Sequence, residues 1–499
     1  MRKTKKSLMN LAFSVVNKIF VMAIGLLIPR LFILEYGSEL NGLQSSVTQI
    51  FGYIALLEAG IGESALQALY KPTAEKDRQG ANEILSATTK YYNKIGIIYF
   101  VILFALAAIY PLIVPTDEIS YLNFLFYIIV SGATTGLNFF FVAKVGLVVN
   151  AEGDSYWTTV LQFFVFVLTS TCKIVCILLG FNILIIQIGY FAVNMIYTLA
   201  LYIFAKKKYP WISFKEKPNL KALEQKNSVL LHKISGIVFQ NTDVLILTFF
   251  CDLETVSIYG IYKLVVNSIL SIINMLTGSV TFAMGQTLAS DKEKYKRLID
   301  TYHVYYTSVS FAILAVTYVL YLPFVRLYTA GSDINYVDKW LPVLFILIEL
   351  LIIGRDAMML TITVAGHFKQ TLVRSLIESG INLTVSIVAV IFLGIYGVLL
   401  GTIAALLYRT IDINLYANKR VLGRSSFNTM KVWISNLIVF AGIVLLFDYV
   451  IKLNITNYLS FIIAGLILLV VFVVAFILIN SLINIKEFKL VCSYFGKKR

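Results

Sequence analysis

Residues 461–479 read Phe461-Ile-Ile-Ala-Gly-Leu-Ile-Leu-Leu-Val-Val-Phe-Val-Val-Ala-Phe-Ile-Leu-Ile479, a run without a charge, an amide or a hydroxyl. At about 1.5 Å per residue such a helix is roughly 28 Å long, close to the ~30 Å hydrocarbon core of a bilayer. Nothing in the run could face water, so it reads as a membrane span. The rest of the chain agrees. Of 499 residues, 59% are hydrophobic and 14% charged, with a mean hydropathy of +0.83; a soluble domain has about 45–50% apolar and about 25% charged residues. Too few charges remain to coat a water-exposed surface. A soluble enzyme, a disordered chain and a disulfide-stapled secreted domain are excluded.

Working outward from that run, apolar stretches between polar turns predict fourteen spans. They lie near residues 8–34, 41–69, 94–114, 121–147, 157–179, 182–205, 229–250, 256–288, 304–325, 340–365, 374–393, 395–416, 432–452 and 458–484. The expected fold is an all-α polytopic membrane protein: two parallel six-helix lobes plus a terminal helix pair. The basic opening Met1-Arg-Lys-Thr-Lys-Lys6 leads into a run interrupted by Lys18 and lacking a small-x-small cleavage site, so it reads as a retained first span rather than a signal peptide.

The chain carries 42 Lys and Arg against 27 Asp and Glu, a formal net charge of +15. In a soluble protein that balance suggests nucleic acid; in a membrane protein cations collect in cytoplasmic loops. With the amino terminus inside, 32 of the 42 fall in inner loops and termini, and only Arg326, Lys339 and Lys452 fall on the other side. The charge is therefore topology, and no nucleic-acid partner is needed. Both termini are expected to be cytoplasmic, in a bacterial cytoplasmic membrane.

An internal repeat divides the chain. Pro111 and Pro323 lie 212 positions apart, Gly180 and Gly394 lie 214 apart, and the basic pairs Lys206-Lys207 and Lys419-Arg420 lie 213 apart. Six spans separate each pair, and an even number keeps orientation, so the halves are parallel repeats. The expected parts are a lobe over 1–205, a basic cytoplasmic linker over 206–228, and a second lobe over 229–417. A loop over 418–431, a helix pair over 432–485 and a basic tail over 486–499 complete the chain.

Ionisable groups inside spans are costly and mark cavities or pathways. Here seven cations, Lys18, Arg30, Lys173, Lys233, Lys263, Arg355 and Arg409, accompany seven acids, Glu58, Glu63, Asp243, Glu349, Asp356, Glu378 and Asp412. Asn10, Ser14 and Asn17 form a polar face beside Lys18. His232, Gln240 and Asp243 form another, with Lys233 and Asn241 adjacent, and Lys263 and Asn267 open a third. Polar faces on spans one, seven and eight would line a cavity. Arg30 could equally snorkel to headgroups, Glu58 could equally serve only to pair helices, and Lys173 reads as snorkelling. Arg409 and Asp412, at i and i+3, read as an intrahelical ion pair. The cysteines, Cys172, Cys176, Cys251 and Cys492, read as buried small hydrophobes. Three histidines and no Cys-x-x-Cys argue against a metal site, no nucleotide-binding glycine loop is present, and no nucleophile–base pair suggests an enzyme.

Several segments together carry a family resemblance: Tyr36-Gly-Ser-Glu-Leu-Asn-Gly-Leu43, Glu58-Ala-Gly-Ile-Gly62, Leu69-Tyr-Lys-Pro-Thr-Ala-Glu75, Gln240-Asn-Thr-Asp243 and Gly397-Val-Leu-Leu-Gly-Thr402. With these and its 6+6+2 spans, the chain resembles the Wzx-type polysaccharide flippases of the multidrug/oligosaccharidyl-lipid/polysaccharide (MOP) exporter superfamily, in their Gram-positive form. The resemblance implies two lobes around a central cavity and alternating access. It also implies that an undecaprenyl-diphosphate-linked oligosaccharide crosses the membrane for surface-polysaccharide synthesis, alongside membrane lipids and polysaccharide-assembly proteins as partners. A diphosphate needs cations, and Lys18, Arg30, Lys233, Lys263 and Arg355 are the candidates, with Asn17, Gln240, Asn241 and Asn267 as polar cavity groups. No cofactor is expected; a coupling ion, proton or sodium, would use Glu58, Asp243, Asp356 or Glu378. A lipid II flippase, a cation-coupled drug or metabolite exporter of the same superfamily, and a non-transporting scaffold are the alternatives.

Overall fold

A computed structural model describes residues 2–55, 61–223, 242–278 and 280–496. It is all-α, with no strand among the described residues. The helices are α1 (Arg2–Ile54), α2 (Ile61–Ala74), α3 (Arg78–Ile113), α4 (Tyr121–Leu137), α5 (Ala143–Ala151), α6 (Ser155–Leu178), α7 (Ile183–Lys208), α8 (242–250) and α9 (Leu253–Gly278). They continue as α10 (Thr281–Ser290), α11 (Lys292–Tyr328), α12 (Leu341–Val364), α13 (Phe368–Leu393), α14 (Ile395–Tyr416), α15 (Phe427–Tyr449), α16 (Tyr458–Ile483) and α17 (Ile485–Gly496). A π turn over Asn138–Val142 joins α4 to α5 as one crossing.

Eleven of these helices or joined pairs are long and apolar enough to cross a membrane. The other predicted spans have identifiable reasons for falling outside that set. Spans one and two share α1, which breaks at Gly37, where φ is 80°. Span seven runs partly outside the described residues. Span ten is α12, whose only charges are Glu349, Arg355 and Asp356.

The repeat reappears in the local chemistry of chain reversal. Helices α3 and α11, of 36 and 37 residues, are each capped by an aspartate that accepts a backbone N–H three residues on: Asp77 from Gly80 and Asp291 from Lys294. These caps lie 214 positions apart. The turns before α6 and α13 each hold a left-handed glycine, Gly153 at φ 79° and Gly366 at φ 70°. Those before α7 and α14 hold Gly180 at 68° and Gly394 at 53°. Only glycine takes such angles without strain, so each turn is fixed by one residue type at matching repeat positions.

The chain forms two compact units, Met1–Ser257 and Ile258–Arg499. Within the first, α3 and α8 both meet the second half of α1 through hydroxyls: Ser46 Oγ lies 2.5 Å from the Tyr110 hydroxyl on α3 and 2.7 Å from Thr248 Oγ1 on α8. Asn41 Nδ2 donates to Ser257 Oγ at 2.7 Å, and Tyr53 meets Thr242. A Cβ on Gly42 would overlap the carbonyl of Leu253, so glycine there permits the approach. In lipid, where apolar contact gives little net drive, such small residues and hydrogen bonds hold helices together. The described part of the linker is docked rather than loose. Asn82 donates to Trp211 O at 3.0 Å and accepts from Ser213 N at 2.9 Å, and Arg78 lies over the Trp211 ring.

In the second unit α14 packs closely on α13. Added Cβ atoms at Gly397 and Gly401 would collide with Ala389 and Ser386, and Asn382 Nδ2 donates to Thr402 Oγ1 at 2.9 Å. The terminal pair is joined by two fully buried amides, Asn436 and Asn480, which exchange hydrogen bonds of 3.0 and 2.9 Å. One cysteine expectation is corrected. Cys172, Cys176 and Cys251 are half-buried, but Cys492, on the short helix α17, is exposed.

Candidate functional site

Inside the second unit, α12, α13 and α14 bring five charges into one network. Arg355 donates to Glu378 Oε1 at 2.5 Å, and Arg409 Nε lies 3.3 Å from the other carboxylate oxygen. Arg409 also donates to Asp412 Oδ2 at 2.8 Å and to Ser375 Oγ at 3.0 Å, while Arg374 pairs with the remaining oxygen of Asp412. The order is Arg355, Glu378, Arg409, Asp412, Arg374, alternating in sign with cations at both ends. The side chains of Arg409, Glu378 and Asp412 are only 2%, 11% and 11% exposed. Each buried carboxylate therefore meets two guanidiniums. This is the arrangement that offsets the desolvation of charges in a low-dielectric interior.

Helix geometry explains the meeting. Glu378 is ten residues into α13, about 15 Å along the axis, and Arg355 and Arg409 are each fourteen residues into α12 and α14, about 21 Å. Helices α12 and α14 run opposite to α13, so these depths coincide. Aromatic groups flank the network. Asp356 accepts from the Tyr306 hydroxyl at 2.6 Å, and Tyr306 stacks on Tyr302 with ring centres 5.1 Å apart. Arg374 lies 4.9 Å over the Tyr416 ring, whose hydroxyl lies 3.1 Å from His367 Nδ1.

The sequence candidates fall into groups. Arg355 and Glu378 are brought into direct contact, and Asp356 lies beside them on α12. Lys263 lies 5.3 Å over Tyr259, and Asn267 is exposed. In the first unit Lys18 is exposed, Arg30 is half-buried and Asp243 is buried at 4% exposure. Glu58, Lys233, Gln240 and Asn241 lie outside the described residues, as does the side chain of Asn17. Lys173, read as snorkelling, lies 4.5 Å over the Tyr190 ring. The Arg409–Asp412 pair is present as expected.

Sequence reasoning missed two features. Arg374 was counted with the loops yet closes the network. Lys144, likewise counted with the loops, is buried on α5 and donates to Asn93 Oδ1 at 2.7 Å. Glu349, one of the acids read within the spans, is buried with one carboxylate oxygen lacking a hydrogen bond among the described residues. The Gly397-x-x-x-Gly401 spacing was the available signal for close α13–α14 packing, and hence for Arg409 meeting Glu378.

No protein-family model matches the sequence, and no curated protein is detectably similar to it. Solved structures are similar in fold. The lipid II flippase MurJ, in an inward closed conformation, matches with a TM-score of 0.70 at 15% identity over 95% of this chain and 99% of that one. An inward-facing multidrug resistance MATE family transporter of the MOP superfamily matches at 0.60 and 14% identity, over 86% and 98%. A MOP superfamily transporter from Pyrococcus furiosus, with a binding pocket of reversed polarity, matches at 0.57 and 16% identity, over 84% and 97%. With its many membrane-length apolar helices, this chain is a multi-pass membrane protein with the fold shared by these flippases and transporters.

Proposed function

We propose that this protein is a flippase that moves an undecaprenyl-diphosphate-linked oligosaccharide from the cytoplasmic to the outer leaflet by alternating access, for cell-surface polysaccharide synthesis. The observation that carries the reading is the extent of the fold likeness. It takes in 95% of this chain for the lipid II flippase and 86% for the multidrug transporter, although each of those chains is itself matched almost whole. The unmatched 14% is the size of residues 427–496, the terminal pair and α17. A lipid-carrier flippase thus accounts for more of the chain than a drug exporter does.

The charge pattern fits the substrate. A diphosphate carries charge that neutral walls cannot hold in a low-dielectric passage, and cations stand within the spans beside the acids. Lys18, Arg30, Lys233, Lys263 and Arg355 are the proposed diphosphate partners, and Glu58, Asp243, Asp356 and Glu378 the proposed gating or ion-coupling groups, with proton or sodium as the ion. The proposed setting is a bacterial cytoplasmic membrane with both termini cytoplasmic.

The test is the leaflet distribution of lipid-linked glycans in cells with and without the protein. Depletion should trap one lipid-linked oligosaccharide on the inner side, and wild type, but not a Lys18→Ala/Lys233→Ala/Lys263→Ala variant present at equal level, should release it. Normal distribution of every lipid-linked glycan would sink the proposal. Trapping of the peptidoglycan precursor alone would assign the lipid II activity instead.

A further inference from the structure

The end of the second unit away from its basic loops holds a pocket that the flippase reading does not use. Its cavity of about 350 Å³ lies among the last three turns of α11, the start of α12 and the end of α15. Arg326, Lys339 and Lys452 all line it. These are the three cations, of 42 in the chain, that fall on the non-cytoplasmic side in the expected topology. The tendency that empties that side of Lys and Arg makes their convergence informative: they come from three separate segments, and folding collects all of them at one place.

Their surroundings leave them available. None of the three forms an ion pair among the described residues. The one acid lining the pocket, Asp448, accepts from the Tyr318 hydroxyl at 2.9 Å. Asp338, next to Lys339, is engaged by the backbone N–H of Trp340 and Leu341 and by the Tyr396 hydroxyl. The pocket therefore carries three positive charges against one negative. Its floor is apolar, formed by Val319, Leu322 and Phe447, and the adjacent Tyr449, Val450 and Leu453 are exposed. A cationic mouth over an apolar floor at a helix-end level is matched by an anionic headgroup carrying acyl chains.

We infer that this pocket binds a phosphate-headed ligand, and that its occupant is an anionic phospholipid of the outer leaflet. The site is independent of the flippase reading and would stand if that reading failed. Native mass spectrometry of the full chain in detergent tests it, with added phosphatidylglycerol, phosphatidylcholine of the same acyl chains, or inorganic diphosphate. Wild type should retain phosphatidylglycerol over phosphatidylcholine, and Arg326→Gln/Lys339→Gln/Lys452→Gln should weaken that retention on the order of tenfold, the scale of a few exposed charge contacts. Asp448→Asn should strengthen it, and the swap Arg326→Lys/Lys339→Arg/Lys452→Arg should keep it, which separates loss of charge from loss of fold. Binding of diphosphate without phosphatidylglycerol, lost in the triple Gln variant, would keep the phosphate site and reassign its source to a soluble ligand. Equal retention of both anions by wild type and the triple Gln variant would overturn the inference.

Discussion

Glu378→Gln should cost about 2–3 kcal/mol of stability, and the structure supplies the reasoning. The carboxylate serves two arginines: Arg355 at 2.5 Å and Arg409 at 3.3 Å. Breaking a buried pair costs about 3–5 kcal/mol because the partner charge is left uncompensated. Two features reduce that figure. Glutamine keeps an acceptor oxygen, worth roughly half of a charge-assisted bond, and Arg409 retains Asp412 and Ser375. Arg355→Gln removes one of the two orphaned cations, so adding it to Glu378→Gln should recover about 1–2 kcal/mol relative to the sum of the single variants, as coupled neighbours do. The assay is denaturant unfolding of the full chain in mixed micelles, followed by the fluorescence of Trp433 in a background where Trp157, Trp211 and Trp340 are phenylalanine. Trp433 donates to Leu350 O on α12 at 3.2 Å and so reports on the helix that carries Arg355. Glu378→Gln within about 0.5 kcal/mol of wild type, or strictly additive single variants, would refute the idea that the five charges act as one network.

Asn480→Ala should destabilise the α15–α16 pair by about 1 kcal/mol by orphaning Asn436, whereas Asn436→Leu/Asn480→Leu should be close to neutral, since no polar group is left unpaired; thermal melts of the two variants decide this. Gly401→Ala should cost about 1–3 kcal/mol, because its Cβ would meet the Ser386 backbone N at 2.6 Å and the α13–α14 approach must open. Gly380→Ala, with nothing within 4 Å of the added atom, should be neutral or stabilise by about 0.5–1 kcal/mol, and equal melting of the two would contradict the packing argument. At the end of α7, hydrogen bonds from Lys208 and Tyr209 hold the Asp154 carboxyl below its ordinary range. A depressed folded value contributes stability above the unfolded value and loses it as pH falls through the folded one, so protection of the amides around 209–213, measured relative to their intrinsic exchange rates, should fall only in acid. Asp154→Asn should show the lowered protection at neutral pH, and no difference from wild type there would remove the clamp.

What could be read in the sequence and what could not divides along the range of the interactions. The spans were legible because a bilayer demands about twenty apolar residues in succession, as in 461–479, and the repeat was legible because Pro111/Pro323 recur within long helices and Gly180/Gly394 mark turns whose positive φ suits glycine. The Arg409–Asp412 pair was legible too, since helix geometry alone puts i and i+3 side by side. Arg355 with Glu378, and Arg374 with Asp412, were not. Their meeting depends on which faces of α12, α13 and α14 touch, and no local rule fixes that. The partial signal was the Gly397/Gly401 spacing, which brings α14 close enough to α13 for Arg409 to reach Glu378. The same reasoning changes how the charges should be weighed. Counted along the chain, Arg374 belongs to a loop and Arg355 to a cavity; placed in the fold, both close one alternating array of three cations and two acids. Its three guanidiniums exceed its two carboxylates by one charge, and it sits within the helices of a transporter fold. If the chain moves an anionic substrate, as proposed, that substrate would meet cations whose partners already hold them in place, so changes at Glu378 that lower transport must first be separated from changes that merely loosen the arginines. For that reason the unfolding measurement on Glu378→Gln should precede any transport assay on it.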